Sequence, residues 1–118
     1  MYPPGHEPAP LSKRGGENVV ALKTPKFGFG RVVATPGAIA ALQEAGQSPW
    51  EFLCRHLAAD WGDVDAEDKA ANDQALKDGS RILSAYVLNS GEKIWIITEA
   101  IDDHGQRAST TVLLPDEY

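Results

Sequence analysis

The chain has 118 residues, of which 42% are hydrophobic and 24% are charged, and its formal net charge is −6. These values fit one domain with its own core, and no stretch approaches the roughly 20 apolar residues that a membrane-spanning helix needs. The single cysteine, Cys54, excludes an internal disulfide and a thiolate zinc cluster, and its apolar surroundings predict an inert thiol. The polar, proline-rich N-terminus does not resemble a secretory signal, so a cytoplasmic protein is expected.

Charge is unevenly distributed along the chain. Residues 1–31 hold five Lys or Arg against two Glu, a net +3, whereas residues 51–78 hold eight acidic residues against three basic ones, a net −5. Nucleic acids are bound chiefly through clustered Lys and Arg, which the segment after residue 31 lacks. The pattern disfavours a nucleic-acid-binding face and favours an acidic body whose partner is another protein.

The first 26 residues differ in composition from the rest. They contain five of the eight prolines and few large apolar residues, which predicts a disordered arm. Within this arm, NVVAL (18–22) is a candidate edge strand. Residues 27–118 are predicted to form a single domain that begins with the β-branched strand RVVAT (31–35).

Two helices are predicted after this strand, and a third follows them. Thr35 and Ser48 are N-cap candidates, and the proline after each fits the first helical position. Glu51 lies three residues after Ser48, as in a capping box. The third helix starts after Asp63 or Asp65 and looks like a surface helix. The predicted helix ends are the glycines Gly46, Gly62 and Gly79.

After residue 80 the apolar pattern changes from helical spacing to alternation. RILSAYVL (81–88), KIWIITEAI (93–101) and RASTTVLLP (107–115) are predicted strands, joined by turns at 89–92 and 102–106. Such short connections predict an antiparallel meander. The order of strand, helices and three strands predicts an α+β fold with the helices packed on one face of the sheet.

The segment HLAADWGDVDAEDKAAND (56–73) holds the residues most suggestive of chemistry. His56 and Asp60 are one helical turn apart and form, with Asp63, a candidate surface cluster. It could provide two metal ligands, a base with its orienting carboxylate, or a surface or capping pair. No third zinc ligand follows at a recognisable spacing, and the aspartates do not match a calcium loop, so neither a metal nor a cofactor is expected.

The same segment contains Trp61 and Asn72. Trp61 is expected in the core, with its indole N–H bonded to a nearby carbonyl or acid. Asn72 is an unfavourable residue inside a helix, so it either bonds across to a neighbouring loop or contacts a partner.

Candidate binding residues lie mainly on the predicted strands. A sheet covered by helices on one face leaves the other face open. A Tyr/Trp patch with Arg and Thr at its rim would resemble a protein interface. The alternative is that Tyr86 and Trp95 belong to the core under the helices. The candidate binding residues are Arg81, Tyr86, Trp95, Glu99, Thr111 and, on the third helix, Asn72.

Four sequence blocks carry a family resemblance over roughly residues 28–118: WGD, SRILSAY, WIITEA and TTVLLPDEY. The chain resembles a family of small bacterial proteins, often associated with plasmids and mobile elements, some of which are labelled as a type I restriction methyltransferase subunit. This chain is too short for that activity and lacks a Gly-rich cofactor loop and an Asn-Pro-Pro-aromatic motif. The resemblance implies no catalytic residues. The segment IDDHGQRAS (101–109) is longer here than in many relatives.

The sequence has no phosphate-binding loop, dinucleotide fingerprint, nucleophile elbow or H-E-x-x-H motif, so no catalytic residue is predicted and an enzyme is not favoured. The first hypothesis is a non-enzymatic accessory protein that binds another protein, with a counter-defence or regulatory role on a mobile element. An open sheet face also suits a homodimer. The alternative is a RelE/ParE-like toxin-type RNase or a ribosome-associated protein. It requires Arg81, Lys93 and Arg107 to line one groove beside His104 or Tyr86. A small-molecule or metal enzyme would need His56, Asp60 and Asp63 to converge.

Overall fold

The computed structural model describes residues 25–118. The candidate strand at 18–22, and all but the last two residues of the expected disordered arm, lie outside the described residues. The elements in chain order are β1 (Arg31–Ala34), α1 (Pro36–Ala45), α2 (Pro49–Leu57), α3 (Ala66–Asp78), β2 (Ile82–Val87), β3 (Lys93–Thr98), β4 (Ser109–Leu113) and a final 3₁₀ turn (Pro115–Glu117).

The four strands form one mixed sheet in the order β1-β4-β3-β2. β2, β3 and β4 pair antiparallel in chain order, and β1 lies parallel to β4 at the end of the sheet. A parallel pair needs a long connection, which the three helices and the two intervening strands supply. The α+β class is therefore confirmed, and β1 extends the predicted meander into a mixed sheet.

The helices begin where the capping residues predict. Thr35, Ser48 and Asp65 are the N-caps of α1, α2 and α3. Their side-chain oxygens accept backbone N–H groups at 3.1, 3.1 and 2.8 Å. α1 and α3 end at the predicted glycines, Gly46 and Gly79, both left-handed. None of the helices in residues 25–118 has the length and apolar character needed to cross a membrane.

The end of α2 differs from the prediction. The helix stops at Leu57 rather than near Gly62, because Ala59 takes a left-handed conformation with φ 68°. A β-carbon makes this conformation unfavourable, so nothing in the residue type marks it in advance. The chain therefore leaves the helix before Asp60, and Trp61 lies beyond its end.

The core lies between the sheet and the helices α1 and α2. Phe52 and Leu53 of α2 are at most 1% exposed and pack against inward-facing residues of the central strands. A second, smaller cluster forms where α3 meets β2. The buried members of the main cluster are Ala34, Ala38, Ala41, Leu42, Phe52, Leu53, Tyr86, Leu88, Ile94, Ile96 and Val112, and those of the second are Trp61, Ala75 and Ile82.

The outer edge of β2 is occupied by the segment that follows α2 and by α3. The side chain of Asn72 donates to the carbonyl of Leu83 at 2.7 Å and accepts its N–H at 3.1 Å. Next to it, Ala85 donates to the carbonyl of Trp61 at 3.1 Å and accepts the N–H of Asp63 at 2.6 Å. Of the two roles considered for Asn72, the structure has the bond across to a neighbouring segment. These bonds satisfy edge groups that would otherwise invite another strand.

Candidate functional site

His56, the residue most suggestive of chemistry, lies in the core and is 0% exposed. Its Nδ1 lies 2.6 Å from Ser84 Oγ and its Nε2 lies 2.8 Å from Thr98 Oγ1. The Thr98 hydroxyl lies 2.7 Å from that of Thr110, which donates to the carbonyl of Phe29 at 2.8 Å. α2, the three strands of the meander and the segment before β1 thus meet in one buried hydrogen-bond chain.

The direction of this chain follows from its last bond. A hydroxyl has one hydrogen, and Thr110 uses its hydrogen on the carbonyl of Phe29. Thr98 must then donate to Thr110, and it accepts in turn from Nε2 of His56. Nδ1 is left as the acceptor for the Ser84 hydroxyl. The geometry therefore assigns His56 as the neutral tautomer with its hydrogen on Nε2.

The surroundings of His56 favour this neutral form. The rings of Phe27, Trp61 and Phe29 lie 5.2, 5.9 and 6.5 Å from the imidazole, centroid to centroid. Burial lowers the pKa of His56 to about 3, and the positive charge of Arg107 acts in the same direction. Because both ring nitrogens are occupied and neither is exposed, His56 is placed as a structural residue. This corrects the expectation that it belongs to a surface cluster.

Asp60 and Asp63 do not converge with His56. Asp60 accepts from Arg55 Nε at 2.8 Å, and Asp63 lies 3.1 Å from Lys93 Nζ, both at the surface. α2 ends before Asp60, so the helical spacing expected to join it to His56 does not apply. The three residues therefore do not form one cluster. In residues 25–118, no group of three His, Cys, Asp or Glu side chains could hold a metal ion.

Two further residues singled out in the sequence lie in or near the helix layer. Tyr86 is 1% exposed, its hydroxyl donates to the carbonyl of Asp60 at 2.7 Å, and burial raises its pKa. Its ring packs 5.3 Å from that of Phe52. Tyr86 is therefore a core residue and does not lie on the same face as Trp95, which corrects its placement in an exposed patch. Cys54 is half-buried, and burial raises the pKa of its thiol.

The other face of the sheet carries the remaining candidates. Side chains alternate along a strand, so the residues between the core positions face away from α1 and α2. We call this surface the open face. From the strand register, with the alternation continued by one residue to Arg81 and Glu99, it comprises Arg31, Val33, Arg81, Leu83, Ala85, Val87, Lys93, Trp95, Ile97, Glu99, Ser109, Thr111 and Leu113.

The open face has an apolar middle and charged ends. Trp95 lies in one row between Ala85 and Leu113, and these two neighbours are 3% and 6% exposed. The next row runs across Leu83, Ile97, Thr111 and Val33. Of the sequence candidates, Arg81, Trp95, Glu99 and Thr111 share this surface, whereas Tyr86 and Asn72 do not.

Tyr118 lies on the open face between Trp95 and Arg81. Its ring makes an edge contact with the Trp95 indole at 5.6 Å, and the Arg81 guanidinium lies 5.6 Å from its centroid. Leu83 lies between Ala85 and Arg81 along β2, so Tyr118 extends over the middle of the face. The sequence pattern did not single out Tyr118, because it follows the last strand and nothing in it predicts that the chain turns back.

The basic residues of the sheet region have separate roles. Arg107 donates to three backbone carbonyls at 2.8, 2.9 and 3.2 Å and joins the end of α3 to the ends of the neighbouring strands. Lys93 pairs with Asp63, and Arg81 lies on Tyr118. Arg107 faces an open cleft between Phe27, the end of α3 and the 102–106 turn. Each of these three basic residues thus contacts a different group.

The structure offers two notable arrangements of side chains, the buried chain around His56 and the open face around Trp95. The first is closed to solvent, and the second is partly exposed, with Trp95 half-buried and Val87 exposed. Comparisons of the chain with protein-family models, with curated proteins and with solved structures give no match.

Proposed function

We propose that the protein is a non-enzymatic accessory protein that binds another protein through the open face. The observation that carries this proposal is the sheet face that α1 and α2 leave uncovered, on which Trp95 is half-buried and Val87 is exposed. Val87, at its margin, is 51% exposed although it is a large apolar residue. Exposed apolar side chains beside aromatic and arginine residues are typical of protein interfaces.

The states of the polar side chains support a non-catalytic role. Both ring nitrogens of His56 are used inside the core, and Arg107 is used on backbone carbonyls. Asp60 and Asp63 each pair with a basic residue at the surface. A general base or nucleophile must reach its substrate, and His56 does not reach solvent.

The charge of the open face narrows the kind of partner. The chain is acidic overall, but Arg81 on this face contacts the Tyr118 ring and makes no ion pair within residues 25–118, whereas Lys93 pairs with Asp63. The acidic residues concentrate instead between residues 51 and 78. A partner that presents acidic residues around an apolar contact suits the open face.

The family resemblance supplies the biological setting of the proposal. Its blocks are similar to small proteins of plasmids and mobile elements, so we place the binding role there, in counter-defence or in regulation. A homodimer formed through the same face is included in the proposal, because a second copy is also a protein partner.

The experiment is an affinity capture from the native host, with light scattering on the purified protein. Val87→Glu places a charge at the exposed margin of the open face, and Ala40→Glu places the same charge on the exposed side of α1. A stoichiometric protein partner, or a dimer, should be lost with Val87→Glu and kept with Ala40→Glu. Capture unaffected by either variant, or co-purified RNA in place of a protein, would contradict the proposal and favour the RNase alternative.

A further inference from the structure

Residues 114–118 fold back along the sheet and are held there by Glu117. Its Oε1 accepts the N–H of Leu114 at 2.8 Å and the hydroxyl of Thr35 at 2.5 Å. A β-carbon on Gly37 would collide with the Glu117 carboxylate, so the missing side chain in the first turn of α1 makes room for this anchor. The anchor fixes the position from which Tyr118 extends over the open face.

We infer that Tyr118, held in position by Glu117, occupies the partner's place on the open face. The partner would present an aromatic side chain next to a carboxylate, and Tyr118 would leave when the partner docks. This inference rests on the proposed function, because it names the chemistry of the segment that the open face binds.

The first support is the chemistry around Tyr118. The Trp95 indole makes an edge contact with the ring, and the Arg81 guanidinium lies over it. Such a pair accepts an aromatic ring through edge contact and through cation–π attraction. Arg81 makes no ion pair within residues 25–118, so its charge is available to a carboxylate next to the ring in the partner.

The second support is that Tyr118 has a defined position but only weak contacts with the rest of the protein. Tyr118 is 64% exposed, and its backbone N–H donates to the carbonyl of Pro115 at 3.3 Å, a long hydrogen bond. Thr35 accepts the N–H of Ala38 whether or not it donates to Glu117, so release of the segment leaves the α1 cap intact. The segment can therefore leave without unfolding an element.

Because Tyr118 is tethered at the site, it lowers the apparent affinity of any free segment that binds in the same place. A short linker holds its end near the site at an effective concentration in the millimolar range. A partner segment with the same contacts must therefore compete with Tyr118, and removal of the Tyr118 ring should tighten its binding.

The test uses a synthetic peptide, Leu-Leu-Pro-Asp-Glu-Tyr with blocked ends, which repeats residues 113–118. It is titrated into the intact protein and into Tyr118→Ala, and the indole N–H signal of Trp95 is followed by NMR. The signal is assigned with Trp95→Phe. We expect saturable shifts in Tyr118→Ala and an apparent affinity at least about 5-fold weaker in the intact protein. A peptide with alanine in place of tyrosine should leave the signal unmoved.

A second variant keeps Tyr118 and removes its anchor. Gly37→Ala should displace the Glu117 carboxylate and bring the peptide affinity of the otherwise intact chain towards that of Tyr118→Ala. No shift in folded Tyr118→Ala, or equal affinity for variant and intact protein, overturns the inference. If capture of the natural partner is still lost in Val87→Glu, the proposed function survives that result. If capture is also insensitive to Val87→Glu, both the inference about Tyr118 and the proposed function fail.

Discussion

Thr98 Oγ1 lies 2.7 Å from Thr110 Oγ1, and neither side chain is exposed. Two neighbouring strands are thus joined on the core side by hydroxyl groups at a point where apolar residues would be expected. These two hydroxyls belong to the buried hydrogen-bond chain around His56, in which every donor and acceptor has a partner. The side chains of this hydrogen-bond chain therefore stabilise the core only as a complete set.

The first prediction concerns the removal of one hydroxyl from the buried hydrogen-bond chain. Thr98→Val keeps the shape of the side chain but leaves the Nε2–H of His56 without an acceptor and Thr110 without its donor. We expect a loss of about 2–3 kcal/mol in the free energy of unfolding, measured by urea denaturation. The control is Thr111→Val, the same change on the open face, which should shift stability by less than about 0.5 kcal/mol. Equal effects of the two would show that the buried chain contributes little.

The second prediction concerns pH. The pKa of His56 is about 3 in the folded protein and near 6.5 in an unfolded chain. Between these values the unfolded state binds one more proton, so the stability present above pH 6.5 is lost as the pH falls towards 3. The slope from this group is about 1.4 kcal/mol per pH unit.

The measurement of this pH effect compares urea unfolding of the intact protein and of His56→Gln from pH 7 down to pH 4. Carboxylates contribute to both curves, so the difference between the curves isolates the histidine. The difference should shrink as the pH falls, because the variant has no imidazole to protonate. Parallel curves would show that His56 titrates normally.

The third prediction concerns the occupied edge of β2. Asn72→Ala leaves the N–H and the carbonyl of Leu83 without their partners, so we expect a loss of about 2 kcal/mol in unfolding free energy. Light scattering should also detect more self-association, since an unpaired strand edge invites pairing. Gln74→Ala changes an exposed residue of the same helix and serves as the control. If both variants behave alike, Asn72 does not protect the edge.

The fourth prediction is a stabilising change. Ala59 has φ 68°, a conformation that costs a residue with a β-carbon about 1 kcal/mol and glycine almost nothing. Ala59→Gly should therefore raise the free energy of unfolding by up to about 1 kcal/mol in thermal or urea denaturation. Ala58→Gly, one residue earlier at φ −88°, should instead lower it. A loss of stability in Ala59→Gly would contradict the strain at this position.

Helix starts could be predicted because their signals are local. Thr35, Ser48 and Asp65 cap their helices through bonds within three residues, so the residue types at these positions are sufficient. The end of α2 could not be predicted, since Ala59 adopts a conformation that alanine does not favour. Beyond this end, the indole N–H of Trp61 donates to Asp73 at 3.0 Å, a contact between residues 12 positions apart that no local pattern encodes.

The candidate site was predicted in part, because alternation along a strand is also a local signal. Alternation placed Trp95, Ile97 and Glu99 on one face, and the register puts Trp95 and Ile97 on the face opposite Ile96 and Thr98. Alternation could not fix the register between β2 and β3, and so Tyr86 was grouped with Trp95, whereas the residue opposite Trp95 is Ala85. The pairing of His56 with Ser84 and Thr98 joins residues 28 and 42 positions apart, which no local pattern encodes.

The occupied edge of β2 also limits how the protein can assemble. Asn72 and the segment around Trp61 use the outward backbone groups of Leu83 and Ala85, so a strand cannot be added on that side. The four-stranded sheet then has at most one edge left, at β1. A chain of molecules joined edge to edge needs two edges on each member. Strand addition between the sheets that residues 25–118 form in two copies can therefore end at a single pair and cannot continue beyond it.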